Sequence, residues 1–229
     1  MDFNNFLSAV SGERFGRYLS ACSGNRRKAI ILYRLNQRLS REIFSIVSCL
    51  EVGLRNKVDA IMAASFGRDW LRDSILSGGM FDKPGTQNTK KIIGKVYQDI
   101  VGKGPYTPSK LLSKMEFGIW KYMFAGPQYT ASGRLLLKAF PKKPRSTRVC
   151  RYDNTYIFGE LNDINELRNR IAHNEPICFQ PKTALKSSSY ALSQYARLYR
   201  LLLWMDLDSR PILRHLDHVR FICRMIEIL

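Results

Sequence analysis

Arg168 and His173 stand five residues apart in ELRNRIAHNEPI (166 to 177), and they are the pair of side chains in this chain best suited to chemistry. A guanidinium stays charged at any relevant pH, and an imidazole gives or takes a proton near neutrality. The pair therefore offers a fixed cation beside a titratable group. The spacing alone says little, because RPILRH (Arg210 to His215) has it too. In that copy Pro211 follows the arginine at a helix start and the intervening residues are ordinary, so Arg210 and His215 read as a decoy. The first copy differs in context: Asn169 follows the arginine directly, Ala172 precedes the histidine, and the stretch before it is rich in Asn, Asp and Glu. Cys178, five residues past His173, invites a cysteine nucleophile, but no third group is at hand to orient such a pair.

The element that must position these residues is a helix from Tyr152 to about Asn174, on which Ile157, Leu161, Ile164, Leu167 and Ile171 share one stripe. Taking Ile164 as the centre and about 100° per residue, Arg168 falls about 40° away, within the apolar face. Glu160 lies in the stripe on its other side. A charge so placed must be paired or must line a cleft, since burying it alone is too costly. On an unbroken helix His173 points about 140° away from Arg168. Pro176 disfavours helical geometry at Glu175, so the last turn is expected to unwind near Asn174 and could swing the imidazole back. Alternatively, the two side chains meet across a symmetric dimer. Either geometry makes a composite site. The plain structural reading is that Arg168 is a paired core arginine and that His173 sits in the last helical turn because the macrodipole favours it there.

Helical periodicity dominates the rest of the chain. Residues 25 to 67 read as one long helix, or two with a bend near Asn36, with Leu39, Ile43, Val47, Leu50, Leu54, Val58 and Ile61 on its apolar stripe. Loops at 77 to 89 and 102 to 108 flank a helix at about 88 to 101. Thr107 and Pro108 read as the cap and first residue of a helix running to near Gly126. A basic, proline-broken connection covers 140 to 151, and helices near 187 to 206 and 211 to 228 complete the chain. Alternating strand patterns are nearly absent, so the reading is all-α, a single domain over residues 1 to 229.

Composition narrows the partners. The 37 Lys and Arg against 19 Asp and Glu leave a formal charge of +18, which favours an extended polyanion through counterion release. Five cysteines without Cys-x-x-Cys spacing and three histidines in no finger pattern argue against structural zinc. Free thiols, no signal-peptide pattern and no apolar run long enough to span a bilayer point to a cytoplasmic protein, not a membrane one.

With these residues in view, the sequence resembles the HEPN superfamily of RNases, specifically the bacterial abortive-infection (Abi-like) proteins. NELRNRIAHNEPI looks like the family's Arg-Asn-x-x-x-His signature. RRKAIILYRLNQRLSREIFSIVSCLEVGLRNKVDAIM resembles its long first segment, ending in Glu51, Arg55 and Asn56, and SKMEFGIWKYMF resembles its middle helix. The likeness covers most of residues 15 to 178, leaving out the loop at 77 to 89 and the two C-terminal helices. It implies a HEPN-like helical bundle with additional peripheral helices, acting as a homodimer and using neither metal nor cofactor. In the implied reaction the substrate's ribose 2′-OH attacks the adjacent phosphate, leaving a 2′,3′-cyclic phosphate and a 5′-OH end. Arg168 would hold the phosphate as its charge builds, and His173 would move a proton from the 2′-OH or to the departing 5′ oxygen. DNA lacks the attacking hydroxyl and would survive.

Supporting roles are expected for further residues. Asn169 could fix a histidine tautomer or a phosphate oxygen, and Arg170 could add positive potential. Glu51 and Arg55 sit in the favourable order for an i,i+4 ion pair, so Glu51 could orient Arg168 or Arg55, or the pair could be purely structural. The resemblance also implies a neutralising antitoxin, a small structured non-coding RNA or a protein. Two other readings stand beside this one: a module of the same fold that binds RNA without cutting it, and a helical interaction partner for a protein or an anionic membrane surface.

Overall fold

A computed structural model describes residues 3–229, and its regular elements are helical. In chain order they are α1 (Phe3–Val10), α2 (Gly12–Ala21), α3 (Arg26–Phe66), α4 (Trp70–Asp73), α5 (Gln87–Lys103), α6 (Pro108–Lys114), α7 (Phe117–Tyr122) and α8 (Gly126–Ala131). A 3-10 turn at Leu136–Ala139 follows, and then α9 (Asn154–Ala172), α10 (Ser189–Trp204), α11 (Arg210–Leu213) and α12 (Val219–Ile228). Among the described residues extended backbone pairs only at the bridge between Phe179 and Lys186. The chain gathers into two compact units. One comprises the residues up to Ser48, Glu166–Tyr199 and Arg210–Leu229, and the other Cys49–Asn165 and Arg200–Ser209.

Helix α3 contributes to both units. It runs 41 residues without proline, and its side chains at Leu39, Ile43, Ile46, Val47, Leu50, Leu54, Val58 and Met62 are fully buried. The buried face follows the i,i+4 row from Leu50 to Met62, which winds slowly round the axis, so Met62 takes the core position expected of Ile61 and Ile61 is left half-buried. Each such buried aliphatic side chain stabilises the fold by about 1.5–3 kcal/mol. Of the two readings, one helix or two with a bend near Asn36, the structure has the first, an uninterrupted helix over Arg26–Phe66. Asn36 is 1% exposed and turns its amide oxygen to the backbone N–H groups of Ile177 (2.9 Å) and Cys178 (3.2 Å), so its polarity is satisfied without breaking the helix.

In the first unit Phe6, Phe15, Tyr18, Tyr33 and Phe179 form an edge-to-face aromatic cluster with centroids 5.1 to 5.5 Å apart at Phe6–Phe15, Tyr18–Phe179 and Phe6–Tyr33. The helix expected over 211 to 228 is two. His215 adopts φ 64°, and Asp217 turns inward to accept from the hydroxyls of Tyr195 (2.7 Å) and Tyr199 (2.5 Å). The buried Glu42 carboxylate then accepts from the backbone N–H of His218 at 2.9 Å, at the start of α12.

In the second unit α4, α5 and α6 pack on one another. Thr107 caps α6 as its residue type demands, its hydroxyl accepting from Lys110 N–H at 3.2 Å with Pro108 in the first turn. That helix does not continue to Gly126, because Met115 and Glu116 take extended backbone (ψ 128° and 160°) before α7 begins. On one straight helix through this point the buried Leu111, Met115, Phe117, Ile119, Trp120, Met123 and Phe124 would spread over about 240° of the circumference, and the break lets two shorter helices each bury a narrower face. Glu160, the carboxylate in the α9 stripe, is buried and paired with Arg200, as its position required. At Gly79 a Cβ would lie 2.4 Å from the carbonyl oxygen of Asp73, so the turn after α4 admits no side chain there.

Candidate functional site at the end of α9

Ile157, Leu161, Ile164 and Leu167 are fully buried, while Arg168 and Ile171, toward the C-terminal end of the same stripe, are half-buried. The helix ends in a Schellman motif: Asn174 takes φ 55°, Glu175 N–H donates to Arg170 C=O at 2.8 Å, and Asn174 N–H to Ile171 C=O at 3.0 Å. Asparagine tolerates this left-handed position better than most residues, and Pro176 keeps the chain from resuming the helix.

The unwinding therefore falls one residue too late to redirect the imidazole. His173 N–H still donates to Asn169 C=O at 2.9 Å, an ordinary helical bond, so its Cα keeps its helical position. Among the described residues no hydrogen bond joins Arg168 to His173. Arg168 has a buried Nε without a hydrogen-bond partner, and its Nη1 reaches only the Asn169 side-chain oxygen at 3.4 Å. Arg170 is engaged elsewhere. Its Nε lies 3.3 Å from Glu175, its Nη2 donates to Pro176 C=O at 3.0 Å, and its guanidinium stacks 4.7 Å above the Tyr190 ring.

His173 is exposed on the wall of a cavity of about 580 Å³, which Arg14, Arg17, Tyr33 and Gln37 also line. Arg17 is held across the Phe179 ring at 4.5 Å and donates to the carbonyl of Thr183, whereas Arg14 is exposed. Two N–H bonds to Asn36 fix the chain just beyond Pro176, so the cavity wall at His173 is anchored on α3. Cys178 is fully buried, and burial pushes its thiol up to about 12, so it supplies no thiolate near neutral pH. Glu51, Arg55 and Asn56 belong to the other unit, where Arg55 Nε donates to Asn56 at 3.3 Å.

The basic side of this cavity is Arg14 and Arg17 of α2, which lie outside the motif and give no signal in it. A separate cationic run lies on α3: from Arg26 to Arg41 the chain carries Arg26, Arg27, Lys28, Arg34, Arg38 and Arg41 with no acidic residue among them. Among the described residues no group of three or more His, Cys, Asp or Glu is placed to hold a metal ion, and no helix is long and apolar enough to cross a membrane. No protein-family model, curated protein or solved structure matches this chain.

Proposed function

We propose that the protein is a HEPN-type endoribonuclease of the abortive-infection or toxin class, restrained by an RNA or protein antitoxin. Two copies of the chain would supply Arg168 and His173 to one cleft. The observation that carries this reading is the state of Arg168: a half-buried guanidinium on an apolar stripe, with a buried Nε that has no partner and no carboxylate among its contacts. Such an arginine is unfavourable for the fold by itself and suits an anion that arrives from outside the chain.

In the proposed reaction the 2′ oxygen forms a bond to phosphorus as the bond from phosphorus to the 5′ oxygen breaks. Arg168 balances the charge on the phosphoryl oxygens, and His173 carries a proton from the 2′-OH or to the leaving oxygen. Because α9 keeps the two side chains on different faces, the second copy supplies the missing half. A non-cleaving RNA-binding module is the second reading, favoured by a cavity that sets His173 beside Arg14 and Arg17 without Arg168.

Labelled RNA incubated with the purified protein in EDTA separates the two. The nuclease reading expects fragments ending in 2′,3′-cyclic phosphate, with the rate falling about 10²–10⁴-fold in His173→Ala and about 10²–10³-fold in Arg168→Ala. Tight binding of intact RNA would leave the binding module instead.

A further inference from the structure

The surface leading to His173 is more basic and more continuous than catalysis by two residues requires. Helix α3 presents Arg34, Arg38 and Arg41 within about 60° of one another around its axis, opposite the core stripe, with about 4.5 to 6 Å of rise between neighbours. All three are exposed, and none makes a side-chain hydrogen bond or ion pair among the described residues. An ordinary solvated helix face mixes signs and pairs them at i,i+4, whereas this stretch contains no carboxylate before the buried Glu42.

The three arginines and Gln37 line an open groove of about 490 Å³. Gln37 and Arg41 also line a neighbouring cavity of about 290 Å³, where α3 meets Ala172 and Asn174 at the end of α9. Gln37 and Asn174 in turn line the cavity that holds His173 and Arg14. The three depressions thus share lining residues, Gln37, Arg41 and Asn174, in a row with Arg34 at one end and the imidazole at the other. Aromatic side chains stand along this row: Phe44 is 38% exposed in the middle cavity, and Tyr33 lines the last.

We infer that this path binds a single strand of RNA, with Arg34, Arg38 and Arg41 on successive phosphates and Phe44 under an unstacked base, and delivers it to His173. Cationic grooves interleaved with aromatic faces suit single strands, whose bases are free to stack on protein. A duplex hides its base faces inside a rigid A-form stack and leaves no base free to stack on Phe44. The inference rests on the nuclease reading only for what happens at the end of the path; binding along it is a separate property.

Fluorescence anisotropy with a labelled 2′-O-methyl single strand, which has no attacking hydroxyl, reads that property alone. The wild type is expected to prefer the single strand to a blunt duplex. Arg34→Ala/Arg38→Ala/Arg41→Ala is expected to lose at least about 10-fold in affinity and to lower the slope of log K against log salt by about 2, at ~0.7 per phosphate. Arg68→Ala/Lys83→Ala/Lys91→Ala, which removes the same charge from exposed positions of the other unit, serves as the control and is expected to lose far less. Equal losses in the two triple variants, unchanged binding in the first, or preference for the duplex would overturn the inference, as would binding of anionic vesicles in its place. The same variants then separate it from the nuclease reading. Track-dependent binding with natural RNA left uncut defeats only the nuclease, and undiminished cutting by the arginine variant defeats only the track.

Discussion

An imidazole five residues past a guanidinium on a regular helix is carried about 140° round the axis, and hydrogen bonds up to His173 hold α9 to that geometry. Arg168 and His173 thus stand in different surroundings: one half-buried and short of partners, the other exposed beside cationic neighbours. Asn36 holds much of the wall that carries the second. Its amide oxygen is the acceptor for two buried N–H groups just after Pro176, so Asn36→Leu is expected to cost about 2–4 kcal/mol in urea unfolding, mostly from the donors left unpaired. Unchanged stability would show that these bonds do not anchor the cavity wall. The sequence made Arg168 legible because its angle on the stripe follows from counting residues. It hid Asn36, because a buried asparagine in a helix looks like a weak point until the chain it serves, 141 residues later, is seen beside it.

At the scale of the element, α9 is defined by how it stops. Asn174 supplies the left-handed residue and Pro176 blocks continuation. Asn174→Gly is expected to leave stability unchanged or raise it by up to about 1 kcal/mol, whereas Asn174→Val, whose branched side chain opposes positive φ, is expected to lose about 1–2 kcal/mol in the same measurement. Equal effects of the two substitutions would mean that the cap is not set by backbone conformation. Elements governed by one face were readable from periodicity, as α3 and α9 show. The break at Met115–Glu116 was not, because apolar residues continue on both sides of it, Leu111 and Met115 before and Phe117, Ile119 and Trp120 after, with no proline or glycine at the break itself to mark it. The break at His215 was hidden for a different reason: it follows from Asp217 reaching two tyrosines on another helix, a contact with no local signature.

At the scale of the molecule, the charge of +18 has a location as well as a sign. Part of it is an unpaired arginine face on α3 that leads to His173, so RNA affinity and the chemistry proposed for the site would share one surface. The catalytic claim itself concerns two copies of the chain, and intermolecular complementation tests it most directly. Arg168→Ala and His173→Ala, each inactive alone on labelled RNA in EDTA, would be unfolded together, refolded and assayed. A composite site formed by two chains leaves one intact site in each mixed dimer, so random pairing is expected to restore about a quarter of wild-type activity. A mixture as inactive as its components, under conditions where exchange of chains is demonstrated, would contradict the account.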